Sequence, residues 1–209
     1  MLPLFRDRLD AGEQLAAALD VVGPDPLVVG LVRGGVAVAA AVAAHLGAPL
    51  DALAVRKIRH PHQPEYALGA VAPGAAGVYV RSHDGLSDRE IAHAVAEAVR
   101  GAHRLDEVLH ASHRELSRRG RTVVLVDDGL ATGATMIAAA RWARAGHPAA
   151  TIAAVPVAAQ QSVERVVPEV DRFVCPHVLL DLYAVGVWYA DFSQVSDEDV
   201  LRLLAEVPV

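Results

Sequence analysis

Apolar residues fall into two kinds of segment. Short strand-like runs cover Pro26 to Val32, Leu50 to Arg56, Val123 to Val126, Thr151 to Val157 and Arg172 to Cys175. Val123 to Val126 lack polar alternation, which suits a strand buried on both faces of a parallel sheet. Between them lie stretches of helical character. Val36 to Leu46 is rich in alanine and closed by Gly47, a second stretch runs from Thr135 to Gly146, and a third from Gln160 to Val166. Ser87-Asp88-Arg89-Glu90 reads as a capping box, with Leu86 and Ile91 placed for a hydrophobic staple. Behind it Ile91, Val95, Val99, Ala102, Leu105, Leu109 and Leu116 recur at helical spacing, and Arg118-Arg119-Gly120 gives a terminating turn. The spacing predicts a helical segment over 87–119, either one long helix or two broken near Gly101.

Alternating strands and helices imply an α/β fold: a doubly wound, mostly parallel sheet flanked by helices, over residues 1–176. Two stretches depart from the rhythm. His60-Pro61-His62-Gln63-Pro64-Glu65-Tyr66 carries prolines that disfavour helix and central strand, so a flexible loop is expected over about 59–75. Residues 177–209 gather Tyr183, Trp188, Tyr189 and Phe192 in a chain only 4% aromatic, then end in a helix capped by Ser196 and Asp199. They are expected to form a small C-terminal hood and a terminal helix.

Composition narrows the function. A chain of 209 residues buries a sizeable core, and no apolar stretch approaches the roughly 20 residues that cross a bilayer. Met1 to Arg6 lacks the pattern of a secretory leader, and Cys175 is the single cysteine, so a cytoplasmic location without disulfides is expected. A nucleophilic Cys175 beside His177 is disfavoured, because no nucleophile turn surrounds it. The net charge is −6, with arginines scattered among acids, which argues against nucleic acid as a partner. His93, His103, His110 and His113 lack metal-ligand spacing and read as solvated or interface side chains.

The chemistry concentrates in Thr122 to Thr135, T-V-V-L-V-D-D-G-L-A-T-G-A-T. Asp127 and Asp128 leave the carboxyl end of a buried strand, where α/β sheets bind ligands, and the following helix points its N–H groups and dipole at the same place. Carboxylates beside an anion nest suit a sugar phosphate, with hydroxyls for the acids and a phosphate for Ala131 to Thr135. Neither G-x-x-x-x-G-K-[ST] nor G-x-G-x-x-G occurs in the chain. Arg33-Gly34-Gly35 follows another strand and opens another helix, and Lys57, the only lysine, ends a third strand beside Arg56.

Val123 to Thr135 resembles the signature of the type I phosphoribosyltransferases, which bind 5-phosphoribosyl 1-pyrophosphate (PRPP). Gly129 departs from it, since the family usually has an aliphatic residue there. The resemblance implies that Asp127 and Asp128 are catalytic, accepting hydrogen bonds from the ribose hydroxyls. Ala131, Thr132, Gly133, Ala134 and Thr135 would hold the 5′-phosphate. Arg33, Gly34 and Gly35, with Arg56 and Lys57, would hold the diphosphate, with Glu65 a further loop candidate. Mg²⁺ would ride on PRPP, without dedicated protein ligands. The partners implied are PRPP and a small-molecule acceptor, most readily a purine, in a homodimer. Tyr183 and Trp188 are the candidates to stack on that acceptor. Hypoxanthine-guanine enzymes of the family place an aspartate at the position of Ala131, and a lysine where this chain has Pro156 to Gln161, so the acceptor stays open between a base and another amine. A non-catalytic PRPP-binding module and a sugar-phosphate hydrolase are the alternatives.

Overall fold

The computed structural model describes residues 2–19, 22–74, 78–80, 85–111 and 114–206. Ala75 at the end of the expected loop, His113, and residues 207–209 of the expected hood lie outside them. Five parallel strands form the main sheet: β1 (Pro26–Leu31), β2 (Leu50–Leu53), β6 (Thr122–Val126), β7 (Ala150–Ala154) and β9 (Arg172–Val174), in the order β2-β1-β6-β7-β9. All five residues of β6 are buried, as an unalternated β-branched run requires of a central strand. Val124 and Val126 face one core layer, with α1 (Arg8–Ala17), α2 (Gly34–Leu46) and α6 (Asp197–Glu206). Val123 and Leu125 face the other, built on α4 (Ala134–Ala145) with Val166 of α5 (Gln160–Val166). The sheet is therefore doubly wound, as expected.

The order places the site. From β1 the chain winds outward to β2, and it later returns on the other side of β1 as β6, so the direction reverses between β1 and β6. A crevice opens beyond the carboxyl ends at such a reversal. Gly30 pairs in register with Val126, so the turn after β1 and the acid pair after β6 emerge side by side.

Two smaller sheets differ from the expectation. β3 (Arg56–His60), β4 (Gln63–Val71) and β5 (Val78–Val80) form an antiparallel sheet over most of the stretch expected to be a loop. Pro64 is accommodated because the pairing jumps from His60↔Gln63 to Arg59↔Ala67, an irregularity that excuses the ladder there from needing a donor. Ile58, Leu68 and Val71 pack on Ala94 and Ala102 of α3 (Asp88–Leu109), which holds the hairpin in place. The Ser87–Glu90 capping box is present. Yet α3 ends at Leu109 rather than near 119, and Gly101 lies inside it without a break.

The hood also draws on the amino-terminal segment. β10 (His177–Leu179) pairs with β8 (Val157–Ala159), and the amino-terminal segment joins them: Leu4 and Phe5 donate to Trp188 O at 2.8 and 3.0 Å, while Ala190 and Asp191 donate to Phe5 O and Arg6 O. Buried Phe5, Val157 and Tyr189 form its core. The terminal helix α6 instead packs Val200 and Leu204 into the main core.

What ends α3 explains one histidine. His110 hydrogen-bonds through Nδ1 to Asp106 O at 3.1 Å and through Nε2 to Asp51 Oδ1 at 3.2 Å, and Leu116 N donates to Asp51 Oδ2 at 2.8 Å. Asp51 is 1% exposed. The Asp106 and Asp51 carboxylates push the His110 pKa up to about 10, against its own burial. His110 is thus a charged brace between β2 and α3, not a solvated side chain.

Candidate active site

At the end of β6, Asp127 turns inward. Its Oδ1 accepts from Asp128 N at 2.9 Å and its Oδ2 from Thr135 Oγ1 at 3.5 Å, so this carboxylate closes the turn that carries its neighbour. Asp128 Oδ2 accepts from Arg8 Nε at 2.9 Å, and Asp128 O accepts from Tyr189 Oη at 2.6 Å. Leu130 N donates to Val157 O and Leu130 O accepts from Ala159 N, both at 2.9 Å, which pins the loop to β8.

The phosphate-sized turn follows. Ser162 Oγ donates to Ala131 O at 2.6 Å, Ala131 and Thr132 are exposed, and Thr135 is half-buried. Gly133 has φ +82°, a left-handed conformation that glycine adopts at little steric cost, and it caps α4 with no side-chain hydrogen bond. The first N–H groups of α4 are therefore left without an intrahelical or side-chain acceptor, facing the turn. α2 starts in the same way: Arg33 occupies its N-cap position with no side-chain capping bond, and Gly34 and Gly35 follow. Two uncapped helix starts and two acids thus converge outside β1 and β6.

The family model described as "Phosphoribosyl transferase domain" matches residues 9–181. The chain belongs to that family. A Mycobacterium tuberculosis (strain H37Rv) protein provisionally named a phosphoribosyl transferase is 40% identical over 209 aligned residues, covering 97% of this chain and 47% of its own. The chain thus spans about half the length of that curated relative. The crystal structure of TT1426 from Thermus thermophilus is 40% identical, covers 99% of each chain and superposes with a TM-score of 0.81. A hypothetical protein from Neisseria gonorrhoeae, solved with bound ppGpp, is 12% identical over 98% of this chain and 95% of its own, with a TM-score of 0.53, and shares the fold alone.

In this phosphoribosyl transferase domain the acid pair is electrostatically loaded. Burial raises the Asp127 pKa well above the carboxylate range; the Asp128 charge adds to this, and Lys57 acts in the opposite sense. Asp128 is raised by burial and held back by Arg8. Arg8 in turn donates through Nη1 to Ser193 O at 2.8 Å and lies 3.8 Å over the centroid of the Phe192 ring.

The other anticipated residues spread around this centre. Arg33 lies at the crevice, but its Nε pairs with Asp197 Oδ1 at 2.6 Å. Arg56 and Lys57 are exposed on β3 and line a cleft of about 560 Å³ with Arg59 and Arg104 of α3. Arg56 also lines a neighbouring cavity of about 350 Å³ with Arg8, Arg33, Gly34 and Phe192. Glu65 is exposed on β4. Tyr183 is fully exposed, while Trp188 packs into the hood with its indole Nε1 buried and unpartnered among the described residues. The aromatic residue that reaches the acid pair is Tyr189. Sequence reasoning missed Arg8, Tyr189 as an acid-pair contact, and Asp197. Asp199 carried the visible cap signal of α6, but nothing local marked the other two contacts.

Proposed function

We propose that this domain transfers the phosphoribosyl group of PRPP to a nitrogen acceptor, most readily a purine base, with release of pyrophosphate. The observation that carries this reading is the convergence of two uncapped helix starts with Asp127 and Asp128 at the reversal point of the sheet. In this reading the amides of Ala131 to Thr135 receive the 5′-phosphate, and Gly34 and Gly35 at the start of α2, with Arg56 and Lys57, receive the diphosphate. Asp128 accepts hydrogen bonds from the ribose hydroxyls, while Asp127 fixes the turn and adds negative charge. That charge favours the positive sugar that develops as the C1′ bond breaks. Positioning then supplies most of the rate.

In this reading Mg²⁺ is carried on the substrate, because that ion retains waters and binds readily through substrate phosphates. Bound there, the ion would supply charge neutralisation of the leaving diphosphate. Gly34 and Gly35 would hold it indirectly, through the diphosphate.

The acceptor enters from the hood side, where Tyr183 and Trp188 are the stacking candidates. Ala131 offers no group to take a proton from it, which favours as a second reading a PRPP-binding module without catalysis. In this reading the protein acts in the cytoplasm as a homodimer. A pyrophosphate-release screen with Mg²⁺, PRPP and a panel of purines, pyrimidines and small amines tests the assignment. Release with one acceptor class supports the transferase. Saturable PRPP binding with no release under any acceptor supports the second reading.

A further inference from the structure

We infer that Arg8, outside every sequence motif, is a positioning residue for PRPP: it clamps Asp128 into the orientation in which the carboxylate meets the ribose hydroxyls. The inference rests on the PRPP reading above and deepens it. Arg8 is held at three points. Its Nε donates to Asp128 Oδ2, its Nη1 donates to Ser193 O, and its guanidinium plane lies over Phe192. Its side chain is only 12% exposed, so the pair is shielded from solvent and screened less than a surface ion pair. Arg8 engages Asp128 through Oδ2, and the same arginine lines the cavity that Gly34 and Arg56 border.

The charges around Asp128 are few and can be named. Arg8 faces it from α1, Asp127 precedes it, the neutral Tyr189 phenol binds its carbonyl, and Lys57 on β3 acts on Asp127. Arg33 is engaged by Asp197. Arg8 is thus the cation that directly opposes protonation of Asp128, whose burial favours the neutral form. A protonated Asp128 presents a weaker acceptor to a hydroxyl. Arg8 therefore sets how far the pH falls before the ribose grip is lost.

The test is calorimetric titration of the purified protein with Mg²⁺-PRPP from about pH 5 to about pH 9, with carboxyl-carbon NMR of Asp128 over the same range. Arg8→Gln is expected to weaken binding about tenfold at neutral pH and to move the acid limb of affinity, and the Asp128 titration, upward by about one pH unit. Arg8→Lys keeps the charge but loses the fork, so the limb stays near wild type while affinity falls about threefold. Arg6→Gln, which removes a surface pair with Asp10, serves as the control and is expected to bind as wild type. Wild-type affinity and an unmoved Asp128 titration in Arg8→Gln overturn the inference. If that variant does not fold, wild-type affinity in Arg8→Lys overturns it. A wild-type protein that binds no PRPP removes the functional reading itself, whereas a loss confined to the Arg8 variants leaves that reading intact and supports the clamp.

Discussion

Gly34, which opens α2, lies against Asp128, which closes the acid pair: a Cβ built on Gly34 would overlap Asp128 Oδ2 and fall 2.7 Å from Cγ and 3.0 Å from Arg8 Nε. Here glycine is required by contact rather than by backbone angle. The two loops that meet at the crevice are fitted to each other atom by atom. Gly34→Ala is expected to displace the Asp128 carboxylate, weakening Mg²⁺-PRPP binding about tenfold or more, with destabilisation of about 1–3 kcal/mol from overpacking. Calorimetry beside a denaturant melt separates the two effects. An alanine variant with unchanged affinity would show that Asp128 is not gripped between these loops.

Asp127 is a burden on the fold at neutral pH. Its native pKa is raised above the unfolded value, so its contribution to stability is greatest when the group is protonated and is lost as pH rises through the folded value. Asp127→Asn keeps an acceptor for Asp128 N and removes the buried charge. We expect an increase of about 1 kcal/mol at neutral pH, or roughly 2–4 °C in Tm, that shrinks toward acid, together with weaker PRPP binding. A variant less stable than wild type at neutral pH would contradict this account.

His110 has the same sign of pH dependence, but here the charged form is the one that stabilises the fold. Its pKa is raised to about 10, so the stability it gives Asp51 is fully present below the unfolded value of about 6.5 and is lost as pH rises toward about 10. His110→Gln is expected to cost about 3 kcal/mol at pH 6, because it leaves Asp51 charged and buried with one partner fewer. The gap between variant and wild type then closes in alkali. Urea melts at three or four pH values give the profile, and a pH-independent gap would assign the effect to packing alone.

Gly129 carries the hood. A Cβ there would lie 2.5 Å from Val185 Cγ1 and 2.8 Å from Cγ2, so a larger residue at this position has to displace the Val185 side chain. Gly129→Leu is expected to leave Mg²⁺-PRPP affinity within about threefold while lowering acceptor-dependent pyrophosphate release tenfold or more. Equal losses in both assays would mean that Val185 supports the acid pair rather than the acceptor side.

The parallel sheet, α2, α4 and the start of α3 are legible in the sequence because burial on both faces and capping chemistry are local signals. Other features were decided by tertiary contacts. Pro64 argued against a strand, yet the pairing irregularity beside it and the packing of Ile58 and Leu68 on α3 make β4 stable. α1 is only weakly amphipathic and became visible only once α2 was present for it to pack against. Asp127, Asp128 and the phosphate turn announce themselves by order and spacing. Arg8 and Tyr189 do not, since each reaches the acid pair from a distant part of the chain through contacts that no local pattern encodes.

The stitching of residues 4–6 to residues 188–191 has an engineering corollary. A chimera that borrows the hood of a relative to alter acceptor preference inherits half of an interlocked module unless the leading segment of the same donor travels with it. Grafts that exchange both pieces together keep Arg8 and Tyr189 in register with the signature loop, and those are the recombinants to build.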